Sequence, residues 1–413
     1  MARADLCRAV NAPMIKEIPQ KGNGRGAEGR MKQLRAGVIG MGYIGVSHIE
    51  AVRRIGFAEV AAVADVHADL ARRKAQEYGV AKAYDTVEAL LADESIDVFH
   101  NCTPNHLHAA VNQKILAAGR HLFSEKPLTR TSAEAEALLA CAAAYPDAVK
   151  GVNFNYRFNP LVLDLRAKVR GGALGTPWLV HGAYLQDWLL YETDYNWRLE
   201  PEYVGPSRCV ADIGSHWMDL AQFVLDSRIV EVCADLGRVF ERRKKPGSEI
   251  ETFSTAAADR YEDVPIRTED YGSVLVRFAN GARGVYHTSE VSAGHGCYLQ
   301  LEVNGSKASA MWNQETADRM WMGFRDRDNL SILRNPATLS PDAAGYAHLA
   351  KGHPEGWNDA FRNGIESFYR YIRDGGRQGV DPCDFATLED AAYTTRLVEA
   401  IVRSDAERRW VTV

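Results

Sequence analysis

The sequence lacks long uninterrupted apolar runs, an excess of one charge and any pattern of paired cysteines. A membrane-spanning helix needs about 20 consecutive apolar residues, so no span is predicted. The 49 Lys and Arg residues nearly balance the 54 Asp and Glu residues, which argues against a basic surface for nucleic acid. The seven cysteines form neither a CxxC motif nor a Cys/His cluster with zinc spacing, so no metal site is predicted.

Cysteines scattered in this way are typical of free thiols that are buried as small apolar side chains in a reducing compartment. Residues 1–30 are rich in Gly, Arg, Lys and Glu, without the apolar stretch of a secretory signal. A cytoplasmic location is therefore expected. The same composition predicts an N-terminal arm outside the fold over residues 1–30, with Met31 as a candidate natural start. With 413 residues, 46% of them hydrophobic, the chain is long enough for two domains.

From Leu34 onward, short apolar runs alternate with Ala-rich segments that have helical character. Strands are predicted at Ala36–Ile39, Val60–Ala64, Val98–Cys102, His121–Phe123 and Val149–Val152. Helices are predicted near Ile44–Ile55, Ala68–Tyr78, Leu107–Ala118 and Ala133–Ala144. This alternation is typical of repeated βαβ units, so residues 31–152 are predicted to form a Rossmann domain of the α/β class, with a doubly wound parallel sheet.

The pattern changes after residue 152 to runs rich in apolar and aromatic residues, linked by turns such as Asn280-Gly281. Residues 153–380 are predicted to form an α+β domain for substrate binding and oligomerisation, with a large, mostly antiparallel sheet. Its polar stretches Arg242–Asp270 and Arg325–Gly356 are interpreted as excursions from that sheet. Residues 381–413 are predicted to form a C-terminal helix and tail that pack back on the Rossmann domain.

A glycine-rich turn, Gly40-Met41-Gly42-Tyr43-Ile44-Gly45, follows the first strand and opens a helix. Gly40 permits the tight turn, Gly42 lets the backbone approach a pyrophosphate, and Gly45 lets helix and strand pack closely. Asp65 ends the next strand, where an acidic residue binds ribose hydroxyls and repels a 2′-phosphate. The pattern predicts a dinucleotide site that prefers NAD over NADP, with Tyr43 and Ile44 beside the cofactor.

Three further motifs follow in order: Thr103-Pro104-Asn105-His106-Leu107-His108, Glu125-Lys126-Pro127, and Asp212-Ile213-Gly214-Ser215-His216. From about Leu34 to Arg403 the sequence resembles the glucose–fructose oxidoreductase / inositol dehydrogenase family (Gfo/Idh/MocA). The resemblance implies that Thr103, Asn105 and His108 lie beside the cofactor and that Glu125 contacts the cofactor or orients Lys126. His106 is interpreted as an exposed loop residue.

The chemistry of alcohol oxidation agrees with these motifs. It needs a group that takes the hydroxyl proton and a cation that stabilises the developing alkoxide. An imidazole is suited to the first role near neutral pH, which favours His216, and Lys126 is suited to the second. Asp212 precedes His216 by four residues, so one helical turn brings both side chains to one face, with Ser215 as the predicted N-cap. Asp212 either orients His216 or binds substrate.

Several residues are candidates for substrate contact. The Tyr-Arg pair of the family corresponds to Tyr156-Arg157, and Arg157 is assigned either to the substrate or to a salt bridge. Trp188, Trp197 and Arg198 lie in an aromatic segment that suits a sugar ring, a domain core or a subunit interface. His353 lies in a segment similar to one near the substrate in sugar-active family members.

Together these features predict an NAD-dependent oxidoreductase that acts on a secondary hydroxyl of a neutral sugar, glycoside or cyclitol. Two other interpretations stay open. One is a lyase or hydrolase that uses bound NAD without net redox change, and the other is a non-catalytic sensor of sugar or nucleotide. The resemblance also implies a homo-oligomer, a dimer or tetramer, assembled through the exposed face of the second sheet.

Overall fold

The computed structural model describes residues 33–247 and 260–413, so the predicted arm at residues 1–30 lies outside the described residues. The first part of the described chain alternates strands with helices. Its strands are β1 (Leu34–Ile39), β2 (Ala58–Ala64), β3 (Lys82–Tyr84), β4 (Val98–Asn101), β5 (His121–Ser124) and β6 (Lys150–Val152). Its helices are α1 (Tyr43–Arg54), α2 (Ala68–Glu77), α3 (Val87–Leu91), α4 (Asn105–Ala117) and α5 (Ser132–Ala143).

These six strands form one parallel sheet in the order β3-β2-β1-β4-β5-β6. The order reverses between β1 and β4, and in open α/β sheets ligands bind at the carboxyl ends of the strands at such a switch point. Because helices cover both faces, the central strands are buried along most of their length, and Val38 and Val98 have no exposed surface. The predicted doubly wound parallel sheet is confirmed.

The second part of the described chain builds a larger sheet flanked by helices. Its strands are β7 (Pro177–Leu185), β8 (Ile229–Gly237), β9 (Arg242–Pro246), β10 (Tyr261–Pro265), β11 (Tyr271–Phe278), β12 (Arg283–Ser289), β13 (Tyr298–Gly305), β14 (Ser309–Asn313), β15 (Arg319–Gly323), β16 (Leu330–Leu333) and β17 (Val411–Thr412). Its helices are α6 (Pro160–Arg170), α7 (Pro201–Val204), α8 (Ser215–Leu225), α9 (Pro341–Ala344), α10 (Trp357–Arg373) and α11 (Leu388–Glu407).

The nine strands of this sheet run in the order β16-β15-β14-β13-β7-β12-β11-β8-β17, and only the β7–β12 pair is parallel among the described pairings. The predicted large, mostly antiparallel sheet is therefore confirmed. The stretches interpreted as excursions contain short strands of their own, because β9 pairs with β10 and β16 extends the main sheet. Part of the first stretch lies outside the described residues.

One face of the large sheet packs on α8. The indole of Trp217 stacks on the Tyr286 ring at 4.4 Å between centroids, and its N–H donates to the Gln300 carbonyl. Gly182 makes this contact possible, since a Cβ there would lie 2.5 Å from the Trp217 indole nitrogen. The sheet therefore fixes the position of α8, whose first turn carries His216.

The C-terminal segment packs against both the Rossmann part and the second part of the chain. Helix α11 packs against α5 of the Rossmann part and against α8 and β8 of the second part. The tail then adds β17 to the edge of the large sheet by pairing with β8. Along the described parts of the chain, no helix combines the length and apolarity that crossing a membrane requires.

Candidate active site

The glycine-rich turn at the end of β1 has the geometry of a pyrophosphate cradle. Gly40 has φ +94°, and a Cβ at this position would lie 2.5 Å from the Cys102 carbonyl oxygen. A Cβ at Gly45 would lie 2.0 Å from the Gly40 carbonyl oxygen, whereas one at Gly42 would meet no atom within 4 Å. The chain's own packing thus requires Gly40 and Gly45. The open space at Gly42, at the N-terminus of α1, fits a phosphate group of NAD.

Asp65 follows β2 and joins the glycine-rich turn to the adjacent loop. Its Oδ2 accepts a hydrogen bond from the Met41 backbone N–H at 2.8 Å, and its Oδ1 accepts one from the His67 N–H at 2.9 Å. The carboxyl group is partly exposed and each oxygen keeps a further lone pair. These lone pairs are available to the ribose hydroxyls of a dinucleotide that lies across the turn.

The turn after β4 is held to the turn after β5 by His108. Both ring nitrogens of His108 face backbone carbonyls, that of Pro127 at 2.6 Å and that of Thr103 at 2.7 Å. The Thr103 hydroxyl donates to Asn101, and Asn105 is buried at the start of α4. Burial lowers the pKa of His108, so its neutral ring has one N–H and donates to one of these two carbonyls, while the ring itself lies packed between the two turns.

Glu125 and Lys126 lie side by side at the end of β5 but serve different partners. Glu125 is buried, and its Oε2 accepts a hydrogen bond from the Lys126 backbone N–H at 3.2 Å. The Lys126 ammonium donates to Asp212 Oδ1 at 2.7 Å and to the Asp212 carbonyl at 2.9 Å. The structure thus brings together two of the three predicted catalytic residues, Lys126 from the turn after β5 and Asp212 from the helical segment that leads into α8.

Asp212 and His216 lie on one continuous helical segment. A π-helical turn at Val210–Gly214 runs directly into α8. The prediction of Ser215 as an N-cap was wrong, because the backbone is already helical at Cys209 and the Ser215 hydroxyl instead donates to the Asp212 carbonyl. The start of the segment is capped by Glu269, a residue missed in the sequence, which accepts hydrogen bonds from Ser207, Arg208 and Val210.

The charges around Asp212 determine which groups are ionised. Burial opposes ionisation of Asp212, but the charges of Lys126 and Arg198 outweigh it and hold its pKa well below the usual range. Burial and then the Lys126 charge lower the pKa of His216 well below its ordinary value. His216 is therefore a neutral imidazole near pH 7. Its Nδ1 is buried and has no hydrogen-bond partner among the described residues.

An aromatic wall surrounds the His216 ring. Tyr156, Phe154 and Tyr184 place their ring centroids 4.8, 5.8 and 5.9 Å from it. The Tyr156 and Tyr184 hydroxyls are 2.7 Å apart, and both lie near Cys297 Sγ, at 3.2 and 3.3 Å. The sequence signal for Tyr156 was its place beside Arg157 in the family's Tyr-Arg pair, but only the arginine was assigned a role.

The predicted aromatic segment divides between the site and the core. Arg198 places its Nε 3.6 Å from Asp212 Oδ2, and its guanidinium lies over the Trp197 ring at 4.4 Å. Trp188, by contrast, packs against the small buried cluster that contains Leu189 and Ile266. Trp197 and Arg198 therefore join the site, while Trp188 supports the loop that carries them.

Two predicted substrate residues lie elsewhere. Arg157 is buried in ion pairs with Asp219 and Asp390, so its guanidinium is already occupied. The His353 side chain is exposed and its carbonyl accepts from Arg334. Trp357, which belongs to the same segment as His353 but was assigned no role of its own, begins α10, and its ring centroid lies 6.5 Å from that of Tyr43 in the glycine-rich turn.

Two family models match the chain. The oxidoreductase family model with an NAD-binding Rossmann fold matches residues 34–151, and the GFO/IDH/MocA C-terminal domain model matches residues 162–311. Among curated relatives, levoglucosan dehydrogenase of Pseudarthrobacter phenanthrenivorans is 27% identical, with 93% of this chain and 99% of the relative covered. Inositol 2-dehydrogenase of Rhizobium meliloti is also 27% identical, with 92% and 99% covered.

Solved structures agree with these sequence matches. An oxidoreductase domain protein from Kribbella flavida has a TM-score of 0.83 and 27% identity, with 93% of this chain and all of that chain covered. A levoglucosan dehydrogenase solved with NADH and L-sorbose has a TM-score of 0.82 and 26% identity, with 93% and 99% covered. The chain belongs to the Gfo/Idh/MocA family of NAD-binding oxidoreductases.

Proposed function

We propose that this enzyme oxidises a secondary hydroxyl of a neutral sugar, glycoside or cyclitol, with NAD as the redox partner. The observation that carries the proposal is the Lys126–Asp212 ion pair beside the buried, neutral His216. A cation and a proton acceptor at one point are the two groups that alcohol oxidation requires from a protein.

Lys126 stabilises the negative charge that develops on the substrate oxygen. Its ammonium has three N–H donors, and two of them are used by Asp212. The third donor is available to a substrate oxygen. Asp212 holds the ammonium in place, where it can polarise the hydroxyl.

His216 takes the hydroxyl proton. Because its imidazole is neutral, one ring nitrogen has a free lone pair, and burial strengthens its interaction with a polar substrate group. The edges of Tyr156 and Phe154 fix the ring's orientation from two sides. The buried Nδ1 has no hydrogen-bond partner among the described residues, and a hydrogen bond from a substrate hydroxyl would offset the free-energy cost of burying it.

The cofactor is held by the residues at the carboxyl edge of the Rossmann sheet. The turn from Gly40 to Gly45 would hold the pyrophosphate and Asp65 the ribose, with Glu125 and Lys126 at the same edge of the sheet. NAD bound there would supply the hydride acceptor for the substrate carbon.

The substrate class follows from the groups around His216 and from the relatives. The site offers tyrosine hydroxyls and the Trp197 face, which suit a polyhydroxylated ring. Both nearby cations, Lys126 and Arg198, already face the Asp212 carboxylate, so an anionic substrate is not required. Relatives named for levoglucosan and inositol, at 27% identity, support a sugar or cyclitol.

The test is single-turnover reduction of NAD with a panel of sugars and cyclitols, beside NAD titration by fluorescence. His216→Asn should slow reduction about 100-fold or more while NAD binding survives. His121→Gln, at the start of β5 and outside both the site and the outer face of the large sheet, serves as the matched control and should behave as the wild type. Near-normal turnover in His216→Asn would overturn the assigned role.

The same experiment distinguishes the other functions left open by the sequence. Cleavage or elimination products without net NAD reduction would show a lyase or hydrolase that recycles its cofactor. Binding of sugar and NAD without any product would show a sensor. Either result would replace the proposed dehydrogenase.

We further propose that the enzyme assembles as a homo-oligomer through the outer face of the large sheet, and that it works in the cytoplasm. Leu275, Val285, His181, Glu302 and Met311 form a row across five strands on that face. None of the five is fully buried, and Leu275 is 46% exposed. Light scattering should detect a dimer or tetramer, and Leu275→Glu should reduce its mass.

A further inference from the structure

Beneath the site, four polar side chains from different elements form one buried hydrogen-bonded chain. Glu125 Oε1 lies 2.8 Å from His48 Nε2, and His48 Nδ1 lies 2.7 Å from His100 Nδ1. His100 Nε2 lies 2.7 Å from the Tyr369 hydroxyl. His48 is on α1, His100 on β4 and Tyr369 on α10, and all three are 0% exposed.

The proton positions in this chain follow from what each group can donate. An ionised Glu125 only accepts, so His48 donates to it from Nε2. The Nδ1 atoms of His48 and His100, 2.7 Å apart, share one proton. His100 Nε2 donates to the Tyr369 hydroxyl when that proton belongs to His48, and accepts from the hydroxyl when it belongs to His100.

The surroundings support this arrangement. Burial opposes ionisation of Glu125, but the hydrogen bonds from His48 and Asn153 outweigh it and hold its pKa below the ordinary value. Burial lowers the pKa of His100 well below its ordinary value, so that ring is neutral. The Phe123 and Phe361 rings contact His48 edge-on and form apolar walls on its sides.

Burying two imidazoles in a sheet–helix core costs free energy that aliphatic side chains would not. The contacts of Glu125, at one end of the hydrogen-bonded chain, indicate the function of these buried polar groups. Glu125 receives the Lys126 backbone N–H on its other oxygen, and the Lys126 side chain reaches Asp212. The chain therefore connects the cofactor-binding helix α1 and the second-domain helix α10 to the turn that carries Lys126.

We propose that His48, His100 and Tyr369 are positioning residues, which hold Glu125 and thereby set the Lys126 turn relative to the cofactor helix and α10. The inference rests on the proposed role of Lys126 for its effect on turnover. The hydrogen-bond order itself does not depend on that role.

The first test is ¹⁵N NMR of cofactor-free enzyme labelled at histidine, with assignments from His48→Gln and His100→Gln. The expected spectrum has His48 protonated on Nε2, and His100 neutral with one protonated ring nitrogen. Tyr369→Phe removes the partner of His100 Nε2, so the His100 signal should change. A His48 without a proton on Nε2, an imidazolium at His100, or a His100 signal unaffected by Tyr369→Phe would overturn the proposal.

The second test separates positioning from general stability by kinetics. His48→Gln and Tyr369→Phe should lower kcat about 10- to 100-fold, the usual effect of losing an outer hydrogen-bonding partner. The Kd for NAD should change by less than about threefold, because the glycine-rich turn is untouched. The matched controls are His121→Gln on β5 and Tyr371→Phe on α10, whose hydrogen bonds lie outside the chain.

If His48→Gln and Tyr369→Phe have the same kcat as the two control variants, the positioning role is refuted. Tyr369→Phe removes one oxygen atom only, so it decides the question if His48→Gln does not fold. A wild type that shows the expected tautomers but never reduces NAD would disprove the proposed function and leave the hydrogen-bond order standing.

Discussion

Replacing Lys126 by methionine tests the core of the proposed site, because it removes the ammonium while keeping most of the side-chain length. In the wild type, the ammonium contacts both the carboxylate and the carbonyl of Asp212, at 2.7 and 2.9 Å. The two side chains are only 15% and 17% exposed. After the substitution, Arg198 at 3.6 Å is the nearest described cation to the carboxylate.

The structure sets two separate magnitudes for Lys126→Met. Loss of a donor to the developing alkoxide should slow turnover by about 10²- to 10³-fold. Leaving the Asp212 carboxylate without its main partner should cost about 1–3 kcal/mol of unfolding free energy. The cost is below the roughly 3–5 kcal/mol of a fully buried broken pair, since Arg198 remains and the carboxylate is partly exposed.

Adding Asp212→Asn separates these two effects. The double variant removes the unpaired carboxylate, so it should regain most of the lost stability but none of the lost turnover. Urea denaturation measures the first quantity, and single-turnover reduction of NAD measures the second. A double variant that recovers turnover would refute the assignment of Lys126 to the substrate oxygen, as would a single variant that keeps normal turnover.

The stability loss should also depend on pH with a definite sign. The Lys126 charge depresses the pKa of Asp212 in the folded state, so the pair contributes stability above the unfolded pKa of about 3.9. That contribution is lost as the pH falls through the folded pKa. The difference between wild type and Lys126→Met should therefore be largest above about pH 4 and shrink on acidification. A difference that grows in acid would contradict this reasoning.

Three further predictions concern the cofactor turn, the base and the buried arginine. Gly42→Ala should leave the thermal midpoint unchanged but weaken NAD binding about tenfold (about 1.4 kcal/mol), whereas Gly45→Ala should lower the midpoint because its Cβ would meet a carbonyl. The pH profile of kcat/KM should show no limb from His216 near pH 6.5, and Lys126→Gln should move its pKa upward, since a positive charge is removed. Arg157→Met should cost about 3–5 kcal/mol by denaturation without changing KM, because it leaves the buried carboxylate of Asp219 without its guanidinium partner.

The fold was predictable where local pattern and burial agree. Strands β1, β2, β4 and β5 each contain a run of buried apolar residues because helices cover both faces of the sheet, and helices alternate with these strands along the chain. Strand β3 was missed because it has three residues and no full period. Strands β14 to β16 were missed because they lie at one edge of the large sheet, where pairing decides the structure more than sequence pattern does.

The site was predictable where a motif fixes spacing along the chain. The Gly40–Gly45 turn and the Asp212–His216 helix were identified because all members of each motif lie within one turn and its helix. Arg157 shows the limit of this approach. Its motif gave the residue, but its role depends on Asp219 and Asp390, and only the folded chain shows that they reach the guanidinium first.

The hydrogen-bonded chain from Glu125 to Tyr369 could not be predicted from spacing along the sequence either. His100 and Tyr369 are 269 residues apart in sequence, and His48 and His100 are 52 apart, so no spacing pattern contains them. The one local signal is a polar residue at a position that faces a core, as His48 does on α1. A buried histidine needs partners for both nitrogens, and whether it has them is a property of packing. Such residues therefore become interpretable only when their hydrogen bonds are followed to a group that reaches the site, which here is Glu125 beside Lys126.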